Sequence, residues 1–192
     1  ELKNRGWEDL LEEAKEVIEI NDLLGLTTSD ELRELQETLD QLVSEYLVFY
    51  TKKGKYILLD NCPGLKIGKL SVSKKGFGFV ILEKEDDVYV DAKNMNGAIH
   101  DDVVLVEITS KMNIDRMEGR ILKIIERRVQ RFIGLISFDK KGIGHVDLDD
   151  SKIKLDIEVP REKSLNAVDG HKVIVELGKK ISNGKYEGEV AE

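Results

Sequence analysis

The sequence predicts an α+β chain of three small units, a winged helix-turn-helix unit followed by two five-stranded antiparallel β-barrels. Three observations carry that expectation. Apolar residues recur at helical spacing through residues 7–43. From residue 65 onward the pattern changes to short strands with no long helix between them. Residues 68–80 and 134–146 are then copies of one another, so whatever the first run of strands builds is built twice.

In chain order, residues 7–20 (WEDLLEEAKEVIEI) put Leu10, Leu11, Ala14, Val17 and Ile18 at helical spacing, with acidic residues opposite. Leu24-Gly25-Leu26 ends that helix. Thr28-Ser29-Asp30-Glu31 reads as a capping box, the Thr hydroxyl and the Glu carboxylate satisfying orphan amides of a first turn. The helix it opens repeats Leu32, Leu35, Leu39, Leu42 and Val43. LVFY (47–50), the turn TKKGK (51–55) and YILL (56–59) make a hairpin. Helices followed by a hairpin spell a winged-helix unit. Asn61-Cys62-Pro63-Gly64 breaks the pattern, which sets the expected domains at 1–62, 63–128 and 129–192.

The remaining strands fall into two sets of five. The first is LKIGKLSVS, GFGFVIL, DVYVDA, DDVVLVEIT and GRILKII; the second is IGLISF, GIGHVDL, KLDIEV, KVIVEL and YEGEVA. Shifting GKLSVSKKGFGFV by 66 positions lays it on GLISFDKKGIGHV with 7 of 13 residues identical, where composition alone gives about one. Further on the offset is 69, and Ala98, Val104, Val106, Glu107, Glu118 and Gly119 meet Ala167, Val173, Val175, Glu176, Glu187 and Gly188. The second copy runs out four residues after Gly188, and the chain opens on Glu1; both lead us to expect a segment of a longer protein.

Composition excludes several classes. With 41% hydrophobic and 35% charged residues and only 2 Pro in 192, the chain is neither disordered nor collagen-like. One cysteine, Cys62, rules out a disulfide framework or a cysteine-rich zinc site. No apolar run approaches the ~18–20 residues of a membrane helix, so no membrane partner is expected. The net charge of −8 lies wholly in residues 1–60, with 7 basic and 15 acidic residues, while the rest is neutral. Binding to phosphates depends on local basic stripes, so the acidic mean does not exclude nucleic acid.

Lys74-Lys75-Gly76-Phe77-Gly78-Phe79-Val80 is the stretch that carries chemistry. Alternate strand residues share a face, so Phe77 and Phe79 project together, and the glycines between them leave the rings open to approach. Tyr89 in VYV offers a third ring, and Lys74 and Lys75 stand at the strand's start to meet phosphates. Rings beside lysines make a platform on which bases stack; the competing reading is that the rings fill a small core.

KKGFGFV followed by VYVDA resembles the two nucleic-acid-binding motifs of cold-shock domains, which are five-stranded oligonucleotide-binding (OB) barrels. A winged-helix unit followed by two such barrels resembles the N-terminal half of exoribonucleases of the ribonuclease II/R family. That resemblance implies barrels that guide single-stranded RNA to a following catalytic domain. That domain would hydrolyse RNA 3′ to 5′ to 5′-mononucleotides, using magnesium held by clustered aspartates. It implies RNA binding by Lys74, Lys75, Phe77, Phe79 and Tyr89, and by Lys140, Lys141 and His145 of the second copy. It also implies no catalytic, cofactor or metal-binding residue in this chain, and the composition above, with one cysteine and no signal peptide, leads us to expect a cytoplasmic protein. The pattern departs from cold-shock proteins where Leu70 and Ser71 stand in place of a first-strand Trp and where Asp91 follows VYV. In the second copy Ile143 and His145 replace Phe77 and Phe79, so that copy is expected to track the RNA backbone rather than stack bases.

Rival readings follow from other residues. His100, His145, His171 and Cys62 lie far apart and show no metal-ligand spacing. The doublets Asp86-Asp87, Asp101-Asp102 and Asp149-Asp150 read as solvated turns. Arg116, Arg120, Lys123, Arg127, Arg128 and Arg131 read equally as a solvated strand face or as an RNA-backbone track across the barrel junction. A stand-alone cold-shock or translation-factor-like RNA-binding module is one alternative function, and a winged-helix DNA-binding regulator another. Against the regulator, helix 29–45 carries Asp30, Glu31, Glu34, Glu37, Asp40 and Glu45 with Arg33 alone, a charge that repels duplex phosphates. The first unit is therefore expected to take a docking role, on protein, or a lid role.

Overall fold

The computed structural model describes residues 6–112 and 116–192. Residues up to Leu65 form one compact unit, and Lys66–Glu192 form a second that holds both barrels. The first contains α1 (Trp7–Leu10), α2 (Val17–Leu24), α3 (Ser29–Ser44) and the antiparallel hairpin β1 (Val48–Tyr50) and β2 (Tyr56–Leu58). The helix expected over residues 7–20 is split. Lys15 leaves the helical path to exchange two backbone hydrogen bonds with Tyr56, at 2.9 and 2.7 Å. A capping box between Glu16 and Glu19 then restarts the helix. The restart resets the phase: Ile20 is fully buried, and Ile18, expected on the inner face, is 64% exposed.

The capping box at Thr28 forms as expected, with the Glu31 N–H donating to Thr28 Oγ1 at 3.2 Å and the Thr28 N–H donating to Glu31 Oε2 at 3.0 Å. The Thr27 N–H foremost, then the Thr28 hydroxyl and N–H, donate to the Glu31 carboxylate and lower its pKa. Leu35, Leu39 and Leu42 line the inner face of α3 and pack with Trp7, Leu11, Ile20, Val48 and Tyr56. Leu32, expected in that stripe, is instead exposed.

The first barrel comprises β3 (Leu65–Val72), β4 (Gly78–Ile81), β5 (Val88–Val90), β6 (Val103–Met112) and β7 (Arg116–Glu126). The second comprises β8 (Arg131–Phe138), β9 (Gly144–Leu148), β10 (Asp156–Val159), β11 (Lys172–Ser182) and β12 (Lys185–Val190). Both are closed, and both run in the order first, second, third, fifth, fourth strand. The sheets are not antiparallel throughout, as the sequence reading had them. β5 pairs with β7 in parallel, and β10 pairs with β12 in parallel. Strand direction cannot alternate around a closed ring of odd number, so a five-stranded barrel must contain a parallel pair.

The duplication extends to atomic packing. A Cβ on Gly68 would press on the Ile81 carbonyl and lie 2.7 Å from Val80 Cγ1. A Cβ on Gly134 would press on the Asp147 carbonyl and lie 2.7 Å from Val146 Cγ1, the same neighbours displaced by 66 residues. One feature breaks the symmetry. Ile99, in the β5–β6 connection, is 2% exposed and packs with the second barrel's core, whereas Val168, its counterpart at offset 69, is 49% exposed. The first barrel therefore plugs part of the second.

Candidate nucleic-acid interface

The β3–β4 turn presents the KKGFGF motif. The Ser73 N–H donates to the Phe77 carbonyl at 2.8 Å, the Gly76 N–H donates to the Ser73 carbonyl at 3.0 Å, and Gly76 takes φ 92°, which favours glycine. Lys74 and Lys75 are exposed at the tip. Gly78, Val80, Val88 and Val90 point inward; Val80, Val88 and Val90 pack with Leu70 and Val72 in the barrel core. The strand alternation therefore puts Phe79 and Tyr89 on the outer face, directly paired across β4 and β5.

The three rings form a half-buried cluster outside that core. Phe77 and Phe79 meet edge to face with centroids 6.0 Å apart, Phe79 and Tyr89 at 5.7 Å, and Phe77 and Tyr89 at 5.6 Å with planes tilted by 41°. Edge-to-face packing of this kind holds rings in place. The core reading of the rings fails because the core lies on the opposite face of the same strands. Asp91, where a further ring was wanting, accepts from the Lys93 N–H at 3.1 Å and caps a short 3-10 turn.

The second barrel repeats the turn but not the platform. The Asp139 N–H donates to the Ile143 carbonyl at 2.9 Å and the Gly142 N–H donates to the Asp139 carbonyl at 3.0 Å, as at Ser73. Lys140 and Lys141 are exposed on it. Asp139, which replaces Ser73, accepts from the N–H groups of Ile143 and Lys141 at 3.0 and 2.8 Å. The Ile143 N–H foremost, with Lys141 and the neighbouring His145, holds the Asp139 carboxyl below the usual carboxylate range. His145 lies 3.4 Å from Asp139 and 4.0 Å from Asp156, and faces Glu158 across the ladder. Lys185 bridges Glu158 at 2.7 Å and Asp156 at 3.6 Å. Carboxylates thus surround the place that rings occupy in the first barrel.

The basic run does not form one face. Arg120, Arg128 and Arg131 pair with Glu107, Glu126 and Glu176 at 2.6, 2.9 and 3.2 Å. The Arg116 side chain lies outside the described residues. Arg127, in the connector between barrels, is 8% exposed and binds Asp102, itself 1% exposed. Its Nε and Nη2 donate to the Asp102 carboxylate at 3.0 and 2.7 Å, and Nη2 also donates to the Gly97 carbonyl at 2.9 Å. Asp102 is therefore not the solvated turn residue its doublet suggested. Arg127 also lies over the Tyr186 ring at 5.3 Å, and Asn183 Nδ2 donates to Asn96 Oδ1 at 2.7 Å, so these residues join the barrels. Sequence reasoning missed this seam; its partners are 25 to 87 residues apart and no local pattern announces them.

His100 Nδ1 accepts from the Val72 N–H at 3.0 Å, a structural role. Among the described residues no three His, Cys, Asp or Glu side chains come together as a metal-holding group. The magnesium implied by the resemblance has no matching ligand set in these residues. No helix among the described residues is long and apolar enough to cross a membrane.

Residues 68–124 match the family described as Ribonuclease B OB domain. Ribonuclease R of Thermotoga maritima is 32% identical over 160 residues, which is 82% of this chain and 22% of that protein. Ribonuclease R of Escherichia coli K12 is 29% identical over 158 residues, 80% of this chain and 19% of that protein. Among solved structures, the fold is similar to that of Mycoplasma genitalium RNase R in complex with ribose methylated single-stranded RNA. The TM-score is 0.59 at 18% identity, covering 66% of this chain and 21% of that one. The chain spans about a fifth of the length of the curated relatives it matches.

Proposed function

We propose that this chain, an N-terminal region of the ribonuclease R type with OB folds, binds single-stranded RNA and guides it to the catalytic domain of a 3′–5′ exoribonuclease. The observation that carries the reading is the cluster of Phe77, Phe79 and Tyr89, held outside the first barrel's core beside Lys74 and Lys75. Rings fixed in this way offer their outward surfaces to bases of any sequence, and the lysines meet the backbone. Lys140, Lys141 and His145 extend the contact to the second barrel. In this reading residues 1–62 are a winged-helix unit that docks on protein, and 63–128 and 129–192 are cold-shock-like barrels. The parent protein works in the cytoplasm, with magnesium belonging to its catalytic domain.

The test is affinity for a single-stranded RNA oligonucleotide. Replacing Phe77 and Phe79 together by Ala is expected to lose roughly 2–5 kcal/mol of binding if both rings stack. A folded double variant that binds like the wild type would show that the rings serve the fold alone. Clean chain incubated with RNA and magnesium is expected to leave the RNA at full length, because among the described residues no His, Cys, Asp or Glu side chains gather as a metal-holding group.

A further inference from the structure

We propose that His100 is a pH-sensitive clasp on the first barrel's KKG turn. It is closed while its ring is neutral and released when the ring takes a second proton, so that single-stranded RNA is held less firmly in mild acid. The effect on RNA rests on the platform reading; the clasp itself does not.

The two barrels close alike. In the first, the Leu70 N–H donates to the Asp102 carbonyl and the Asp101 N–H to the Leu70 carbonyl, both at 2.8 Å. In the second, the Ile136 N–H donates to the His171 carbonyl at 3.0 Å and the Gly170 N–H to the Ile136 carbonyl at 2.9 Å, the same rungs displaced by 66 and 69 residues. One further rung ends each seam, and there a side chain meets the backbone. The Phe138 N–H donates to Asp169 Oδ1 at 2.6 Å, and at the matching place the Val72 N–H donates to His100 Nδ1 at 3.0 Å.

An imidazole and a carboxylate serve that rung differently. Histidine is the side chain whose charge ordinarily changes between pH 5 and 8, a range through which aspartate ordinarily stays ionised. The Val72 amide can only donate, so Nδ1 keeps its lone pair and the ring hydrogen sits on Nε2. A second proton would set N–H against N–H and remove the rung. The His100 side chain is 33% exposed, which lets a proton reach it. The charges around it are Asp101, 3.8 Å from Nε2, Lys69, which holds Asp101 at 2.8 Å, and Arg128, which acts on the same carboxylate. Asp102 is turned to Arg127 instead.

The rung matters most in the first barrel, because the turn beside it has less else to hold it. Val72 ends β3 and leads directly into Ser73, Lys74 and Lys75. In the second barrel the Asp139 carboxylate ties the Lys141 and Ile143 N–H groups across the turn. In the first, Ser73 stands in that place and its buried hydroxyl makes no hydrogen bond. The first seam also bends at a costlier residue, Asp101 with φ 71° where the second has Gly170 with φ 83°. Losing the His100 rung frees Lys74, Lys75 and Phe77 from their set positions, and a strand that binds must order them again.

The experiment follows hydrogen exchange of the Val72 and Phe138 amides in the intact chain, each relative to its unfolded rate, at about pH 7.5 and about pH 5.5. Val72 protection is expected to fall about ten-fold in acid, the size of one net hydrogen bond, and Phe138 protection less than about two-fold. In His100→Asp, which copies the second barrel, Val72 protection is expected to hold at both pH values. No fall at Val72 in the wild type, an equal fall at Phe138, or a fall that persists in His100→Asp would overturn the clasp. Anisotropy of a labelled single-stranded RNA gives the second arm, with His100→Gln as a reference that gains no proton in this range. Wild-type affinity is expected to fall about three-fold in acid relative to that reference. An added positive charge alone would raise affinity, so a rise, or equal behaviour, would overturn the effect on RNA. A chain that binds no RNA at either pH would overturn the platform reading, and the Val72 amide would then decide the clasp by itself.

Discussion

Asp102 and Arg127 form a buried ion pair in which one carboxylate accepts from two nitrogens of one guanidinium, at 3.0 and 2.7 Å, across the junction of the barrels. Asp102 also accepts from the Ile99 N–H at 2.9 Å, at the residue that enters the second barrel's core. Burial works against the Arg127 charge, but the Asp102 carboxylate more than offsets it and leaves the guanidinium pKa raised.

Removing one partner of that pair leaves a buried charge without a counter-ion. Asp102→Ala is expected to destabilise the barrel pair by about 3–5 kcal/mol in urea unfolding. The double change Asp102→Leu with Arg127→Met is expected to lose less than Asp102→Ala alone, because no charge stays buried. A double variant weaker than the single one would mean that the pair's hydrogen bonds, not its burial, hold the junction.

The two copies of the KKG turn divide the work of RNA binding. Phe79→Ala is expected to lose about 1–3 kcal/mol of RNA affinity and His145→Ala much less, since an imidazole among Asp139, Asp156 and Glu158 faces carboxylates rather than phosphates. Replacing Lys140 and Lys141 by Ala is expected to flatten the salt slope by up to about 1.4. Equal losses at Phe79 and His145 near neutral pH would show that the second barrel also stacks bases.

Gly68 and Gly134 are sites of close approach, with a Cβ at either landing 2.7 Å from a valine methyl. Gly68→Ala and Gly134→Ala are each expected to destabilise by about 1–3 kcal/mol, and by similar amounts because the neighbours match. Thermal unfolding of both variants checks this, and a neutral Gly134→Ala would show that the second barrel relaxes where the first does not.

Asp139 carries a pH prediction. Its folded pKa is depressed, chiefly by the Ile143 N–H, so its contribution to stability is complete above the ordinary carboxylate pKa. That contribution is lost as pH falls through the lower, folded value. The stability difference between wild type and Asp139→Ala is expected to be constant near neutrality and to shrink in acid. A carboxyl carbon titration of Asp139 with its midpoint at the ordinary value would contradict the assignment.

The parts of the fold that rest on local pattern were legible in the sequence. The capping box at Thr28 needs only Thr28 and Glu31, and the offset of 66 residues exposes the second barrel before any strand is paired. The outward set of Phe79 and Tyr89 follows from strand alternation against Val80 and Val88. What escaped was long-range. Lys15 breaks its helix to pair with Tyr56, 41 residues away, and Ile18 turns outward as a result. The parallel closing pairs follow from the ring of five and not from any one strand. Arg127 reads in sequence like its basic neighbours, and only the fold brings Asp102 to it.

Closure of both barrels has a consequence for the manner of recognition. A sheet with a free edge can take a peptide as an added strand, main chain to main chain. Within each barrel every strand has a neighbour on both sides, so the described barrel strands form no open sheet edge. Anything held by Lys66–Glu192 must be gripped by side chains and turns, whose identities can change while the frame beneath them stays the same. The duplication shows that freedom in use: one turn carries Phe77 and the other Ile143 on matching backbone.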